Sequence, residues 1–205
     1  MPYIAKLSNT GGVKSLTRYT SVLAGNEKYI ETSYESIATA IVGAEGSSTI
    51  TFSSIPSTYQ HLQLRAMCKN TSTPNTGDFV SMRFNGDSGM NYTYRRMKGD
   101  GSAATSYGAA TGTFDGVTLE RIATSRSGVA TQTHGVLVCD ILDYANTNKN
   151  TTTRILGGYD RNGAGEIIFS GSLWINTAAV NSITLTTPSE SFTEYSSFAL
   201  YGITV

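Results

Sequence analysis

Along much of the chain apolar residues alternate with polar ones at a period of two, the pattern of a strand lying on a core. In HLQLRAM (61–67), Leu62, Leu64 and Ala66 fall on one side, with Gln63 and Arg65 on the other. FVSMRF (79–84) sets Val80, Met82 and Phe84 against Ser81 and Arg83, and NSITLTT (181–187) sets Ile183 and Leu185 against Thr184 and Thr186. Each pattern predicts a half-buried strand of an antiparallel sheet. Two runs are apolar on both faces instead, GVLVCDILDY (135–144) and GEIIFSGSLWIN (165–176). They predict strands covered on both sides, in the middle of a sandwich or at a subunit contact. Helical periodicity is nearly absent. Its best candidate, YESIATAIVG (34–43), has a Thr, Ile and Val content that fits a strand equally well.

Turn-forming clusters punctuate these runs at short intervals: TPNTG, NGDSG, GDGS, FDG, YANTNKN, DRNGAG and TPSE. Many short strands at such spacing, about ten of them, predict an all-β antiparallel sandwich, jelly-roll-like. No 20- to 50-residue repeat suggests a solenoid or propeller. Residues 1–30 differ, with few large apolar residues in register, a Gly-Gly pair and four basic side chains, Lys6, Lys14, Arg18 and Lys28. They are expected to form an extended arm that anchors the chain to a partner, leaving 31–205 as the body. Composition agrees with a β-rich body: Ser and Thr make up about a quarter of the 205 residues, and 21 are Gly. A chain of this length buries enough surface to need no metal or disulfide.

Lys and Arg number 15, and so do Asp and Glu. That balance argues against nucleic acid as a partner. No apolar run has the length of a membrane span, and MPYIAKLSNTGG lacks the apolar core of a secretory signal, which predicts a protein made in a cytoplasm. Cys68 and Cys139 lie in apolar segments and are expected to be buried free thiols.

The sharpest chemical motif is Gly86-Asp87-Ser88-Gly89, the tetrapeptide around the nucleophile of chymotrypsin-like proteases, with His61 and Asp78 upstream in that family's order. The reading fails on context: His61 opens a strand, Met90 stands where the oxyanion loop has Gly, and two barrels do not fit this length. The bland alternative is a hairpin tip in which Asn85-Gly86 supplies positive φ. Asn85, Asp87 and Asn91 lack the ligand ladder of a calcium loop, and two Cys and two His without ligand spacing make no zinc site. No enzyme activity and no cofactor are therefore expected. DYANTNKNTT (143–152), with Asn146, Asn148 and Asn150 at alternate positions, predicts turns closed by Asn side chains, or hydrogen bonding to a glycan or a partner protein. Tyr92, Tyr94 and Trp174 join it as candidate ligand-facing aromatics.

Five stretches together, ITFSSIPSTYQHLQLR (50–65), RFNGDSGMNY (83–92), DILDYANTNKNTT (140–152), SLWINTAAVNSITL (172–185) and YSSFALYGI (195–203), resemble small β-rich virion proteins of tailed bacteriophages of the cyanophage and marine-phage type. The resemblance spans roughly residues 34 to 203, about four-fifths of the chain, and leaves out the arm. It implies a non-enzymatic structural protein of the virion, assembled in the host cytoplasm. The expectation is a capsid decoration or cement protein, held through its arm to the major capsid protein. The alternative is a tail-fibre, neck or other tail appendage that binds a host surface glycan. Edge strands in such a body need cover, and analogy with phage appendages makes a homotrimer the expected oligomer.

Overall fold

The computed structural model of the chain describes residues 33–72, 78–124, 132–187 and 190–204. The chain divides after Ser33. The expected arm, with Lys6, Lys14, Arg18 and Lys28, lies outside the described residues.

Twelve strands follow in order: β1 (Tyr34–Ile41), β2 (Thr49–Phe52), β3 (His61–Asn70), β4 (Asp78–Phe84), β5 (Tyr92–Gly99), β6 (Ala104–Phe114), β7 (Val117–Thr124), β8 (Gly135–Leu142), β9 (Thr151–Asp160), β10 (Gly165–Trp174), β11 (Ile183–Thr186) and β12 (Ser197–Ile203). The ambiguous YESIATAIVG is strand rather than helix, because it completes a sheet by pairing with β12 along its length. β6, ATSYGAATGTF, was passed over by the alternation argument. It pairs only with β5 among the described residues, and with little of its surface covered it needs no apolar side.

The strands make two antiparallel sheets. The larger runs β1-β12-β3-β8-β9-β10-β5-β6 and the smaller β2-β11-β4-β7. A short parallel bridge joins them where Lys69 and Asn70 of β3 lie beside Ala123 and Thr124 of β7. One hydrophobic core draws on both sheets. Phe52, Val80, Met82, Phe84, Ile183 and Leu185 enter it from the smaller, and Leu62, Leu64, Cys68, Ile141, Ile155 and Leu200 from the larger. The alternation expected in β4 and β11 holds, since their predicted inward residues are all completely buried; in β3 the inward Leu62, Leu64 and Ala66 are buried, but so is Gln63 on the other side. Cys68 and Cys139 are free and buried, and desolvation pushes both thiols well above their usual range.

Two expectations need correction. The stretch 83–92 is a turn, with Asn85 at φ 53° and Gly86 at φ 69°, but it is not a hairpin. β4 belongs to the smaller sheet and β5 to the larger, so the turn carries the chain from one sheet to the other. Nor do the runs 135–144 and 165–176 lie between two layers of this chain, the first of the two placements expected for them. Their inner residues Leu137, Cys139, Ile141, Ile168 and Trp174 are buried, while Val136, Val138, Ile167 and Phe169 stand in solvent. Both strands lie mid-sheet, and the smaller sheet covers one face of them only.

Candidate functional site

The protease-like residues are dispersed. His61 opens β3, where its Nδ1 accepts a hydrogen bond from the Asp143 amide at 2.9 Å. Asp78 lies beside the far end of that strand and takes the Asn70 amide at 2.9 Å, so the length of a ten-residue strand, about 30 Å, separates it from His61. Ser88 is exposed in the loop after the opposite end of β4. No triad forms from these three.

Asp87 has a different use. Its carboxylate accepts from the Gly89 amide at 2.8 Å, from Asn91 Nδ2 at 3.0 Å and from the indole Nε1 of Trp174 at 2.8 Å. Its own carbonyl takes the Tyr92 hydroxyl at 3.0 Å. Hydrogen bonds to the charged form, led by that from Asn91, hold the Asp87 carboxyl below its ordinary range. Asn85 clamps the same turn, donating to Ala179 O at 2.8 Å and accepting from the amides of Asn181 and Ser182. Of the oxygens considered for calcium, those of Asn85 and Asp87 are engaged by the fold itself, while Asn91 Oδ1 is buried with no hydrogen-bond partner among the described residues; among those residues no group of three or more His, Cys, Asp or Glu converges on a metal position.

The aromatic candidates also need correction. Tyr92 and Trp174 are 1% exposed and stack on each other with ring centroids 6.3 Å apart, against Phe84. Burial pushes the Tyr92 phenol up to about 12. Tyr94 is buried against the edge of Phe114. None of the three faces a ligand, because large aromatic surface at these positions fills the core. The asparagine loop stays accessible: Asn146 and Asn148 are exposed and Asn150 is half-buried. Asn146 Oδ1 accepts the Asn148 amide at 2.8 Å, the side-chain-closed turn that the spacing predicts. Beside it, Tyr59, Gln60, Asp143, Asn146 and Asn148 line a polar hollow of about 330 Å³. Asp143 is paired there with Lys149, which lowers its carboxyl below the usual range.

The largest unexplained feature is the outer face of the larger sheet, away from the smaller one. Register places its residues in rows across the strands. One row contains Ile41, Met67, Val136, Gly158 and Ile167. The next contains Val138, Leu156, Phe169 and Met97. The eight side chains of these rows are between 38% and 73% exposed. A Cβ on Gly158 would stand 2.4 Å from the Glu166 carbonyl oxygen, so the position admits no side chain. Val136, Leu156 and Ile167 stand around it as walls of a shallow hollow. Along one side runs a polar row in which Gln63 donates to Asp140 at 2.7 Å and Arg154 bonds the same carboxylate at 2.6 Å. Arg65 donates to Gln63 at 2.7 Å and lies over the rings of Tyr34 and Tyr201.

β10 sharpens the oddity. It exposes Ile167 by 71% and Phe169 by 47% while burying Ser170 and Ser172, whose hydroxyls find no hydrogen-bond partner among the described residues. A slip of one residue would reverse that choice, but it would also expel Ile168 and Trp174 from the core. Sequence reasoning marked this run as apolar on both faces and named a subunit contact as one of two explanations. Met67, Met97 and Leu156 were not singled out, since each sits in a strand whose outer row is otherwise polar or small.

The class so defined is a β-rich protein of two antiparallel sheets with one apolar face left in water. No protein-family model matches the chain, and no curated protein sequence matches it.

Proposed function

We propose that the protein is a non-enzymatic structural component of a tailed-phage particle, acting as a capsid decoration or cement protein anchored through residues 1–30. The observation that carries this reading is the apolar outer face of the larger sheet. A face of this size in water suits a part that works by being fitted into an assembly, since the apolar patches of free monomers are usually smaller. The resemblance of five separated stretches to phage virion proteins supplies the kind of assembly. In this reading the two sheets are the layers of a jelly-roll-like sandwich, which the core shared by their inner faces supports, and self-association covers exposed sheet surface. The trimer is carried by analogy with phage appendages alone.

The polar hollow at the asparagine loop favours a second reading, a tail or neck appendage that takes a host glycan. Tyr59 borders it, and Asn146, Asn148 and Gln60 offer hydrogen-bonding groups of the kind a sugar needs. Copy number per particle, measured by quantitative mass spectrometry against the major capsid protein, tests both. Decoration predicts a number comparable with capsid subunits, and an appendage predicts a small fixed number. Absence of the protein from purified particles overturns both.

A further inference from the structure

We infer that the apolar outer face of the larger sheet is a two-fold contact, seated on the same face of a second copy of this chain. The inference rests on the assembly reading of that face and goes beyond it by naming the occupant. Eight large side chains exposed by 38% to 73% leave roughly 800 Å² of largely apolar surface, about what one partner contributes to a stable interface of standard size. The patch lies on one face of one sheet, a surface of the kind that packs face to face on a second sheet about 10 Å away.

Charge selects the partner. In the polar row beside the patch Asp140 is bonded to both Gln63 and Arg154, and farther along the row Arg95 is exposed with its guanidinium on the Tyr94 carbonyl. Arg65 stacks on two tyrosines and bonds Gln63. The other side of the patch is bordered by the exposed Asp100 and Asp160, so a second copy turned about a two-fold axis can set its cationic side, Arg65 and Arg95, toward these acids. Shape agrees. The floor at Gly158 forms a hollow, and Ile167 and Phe169 are projecting knobs on the same patch. Knob and hollow on one surface are what an isologous contact requires, because each subunit supplies both. A three-fold ring needs two different surfaces that meet each other, so the two-fold contact stands in place of the homotrimer that analogy suggested. Tyr107 stands on the opposite face of the sheet, and Met90 and Ile175 lie beyond strand ends.

The test is the solution mass of the full chain by light scattering and sedimentation over a dilution series. The expected mass is twice the 21.8 kDa of the chain, with dissociation on dilution. A Leu156→Glu, Ile167→Glu variant should dissociate at roughly hundredfold higher concentration, with an unchanged circular-dichroism spectrum. Should that variant fail to fold, Leu156→Cys gives a second reading. The native thiols are buried, so a long, flexible bis-maleimide, which does not require the two cysteines to meet on the axis, should link two copies through the new cysteine. A monomer at every concentration, a trimer, or a dimer that ignores the variant and gives no cross-link would each overturn the inference. A monomer still incorporated into particles would leave the structural role standing, and a dimer absent from particles would do the reverse.

Discussion

The two faces of β8, β9 and β10 are built from the same three strands yet behave as two different surfaces. Inside, Leu137, Cys139, Ile141, Ile155, Ile168 and Trp174 are buried beneath the smaller sheet. Outside, Val136, Val138, Leu156, Ile167 and Phe169 are just as apolar and stand in water. The inner face tolerates polar groups, since Thr153, Ser170 and Ser172 are buried there. Hydrophobicity therefore does not distinguish the faces; cover does. An apolar strand face with no cover in its own chain is informative, because burial of apolar surface is the main favourable term in folding and association alike.

The comparison can be broken most forcefully from inside. Trp174→Ala should lower unfolding free energy by about 3–5 kcal/mol, measured by denaturant titration, because it empties the cluster with Phe84 and Tyr92 and strands a bond to Asp87. Asp87→Asn keeps size and shape but sets an amide N–H₂ against donors, and should cost about 2 kcal/mol at neutral pH. That difference depends on pH. A carboxyl held low in the folded state stabilises above its unfolded value, near 4, and loses that contribution as pH falls through its folded value. The gap in melting temperature between wild type and Asp87→Asn should therefore narrow as pH falls below about 4 and through the folded value; a constant gap would show that the charge is not what matters. On the outer face, Leu156→Ala should change stability by less than about 0.5 kcal/mol in dilute solution, since the side chain is 56% exposed. A loss as large as that of Trp174→Ala would mean that the face is covered after all.

How much was legible follows from what alternation can express. β3, β4 and β11 show one apolar side and one polar side, and each is placed with that side inward. β8 and β10 are apolar on both sides, so their sequences named two possibilities and could not choose between them. β6 has no apolar side at all and gave no signal. Among the site candidates, the Asn146 turn was legible because it closes within three residues. The burial of Tyr92 and Trp174 was not, because their cover arrives from Phe84 in another sheet. The same reason hid Asp87, whose indole partner lies 87 residues away in the chain.

What the sequence determined by itself is local. Period-two alternation and regular turn residues made the chain β-rich and antiparallel, and positive-φ residues at Asn85 and Gly86 set a turn where it was expected. Tertiary structure decided which strands share a sheet, that the turn at Asn85 joins two sheets rather than two neighbours, and which apolar row is left in water. Those are choices between contacts distant along the chain. Strands pair and sheets stack through backbone groups and apolar surfaces that are nearly alike from one strand to the next, so only packing the whole chain at once selects among them.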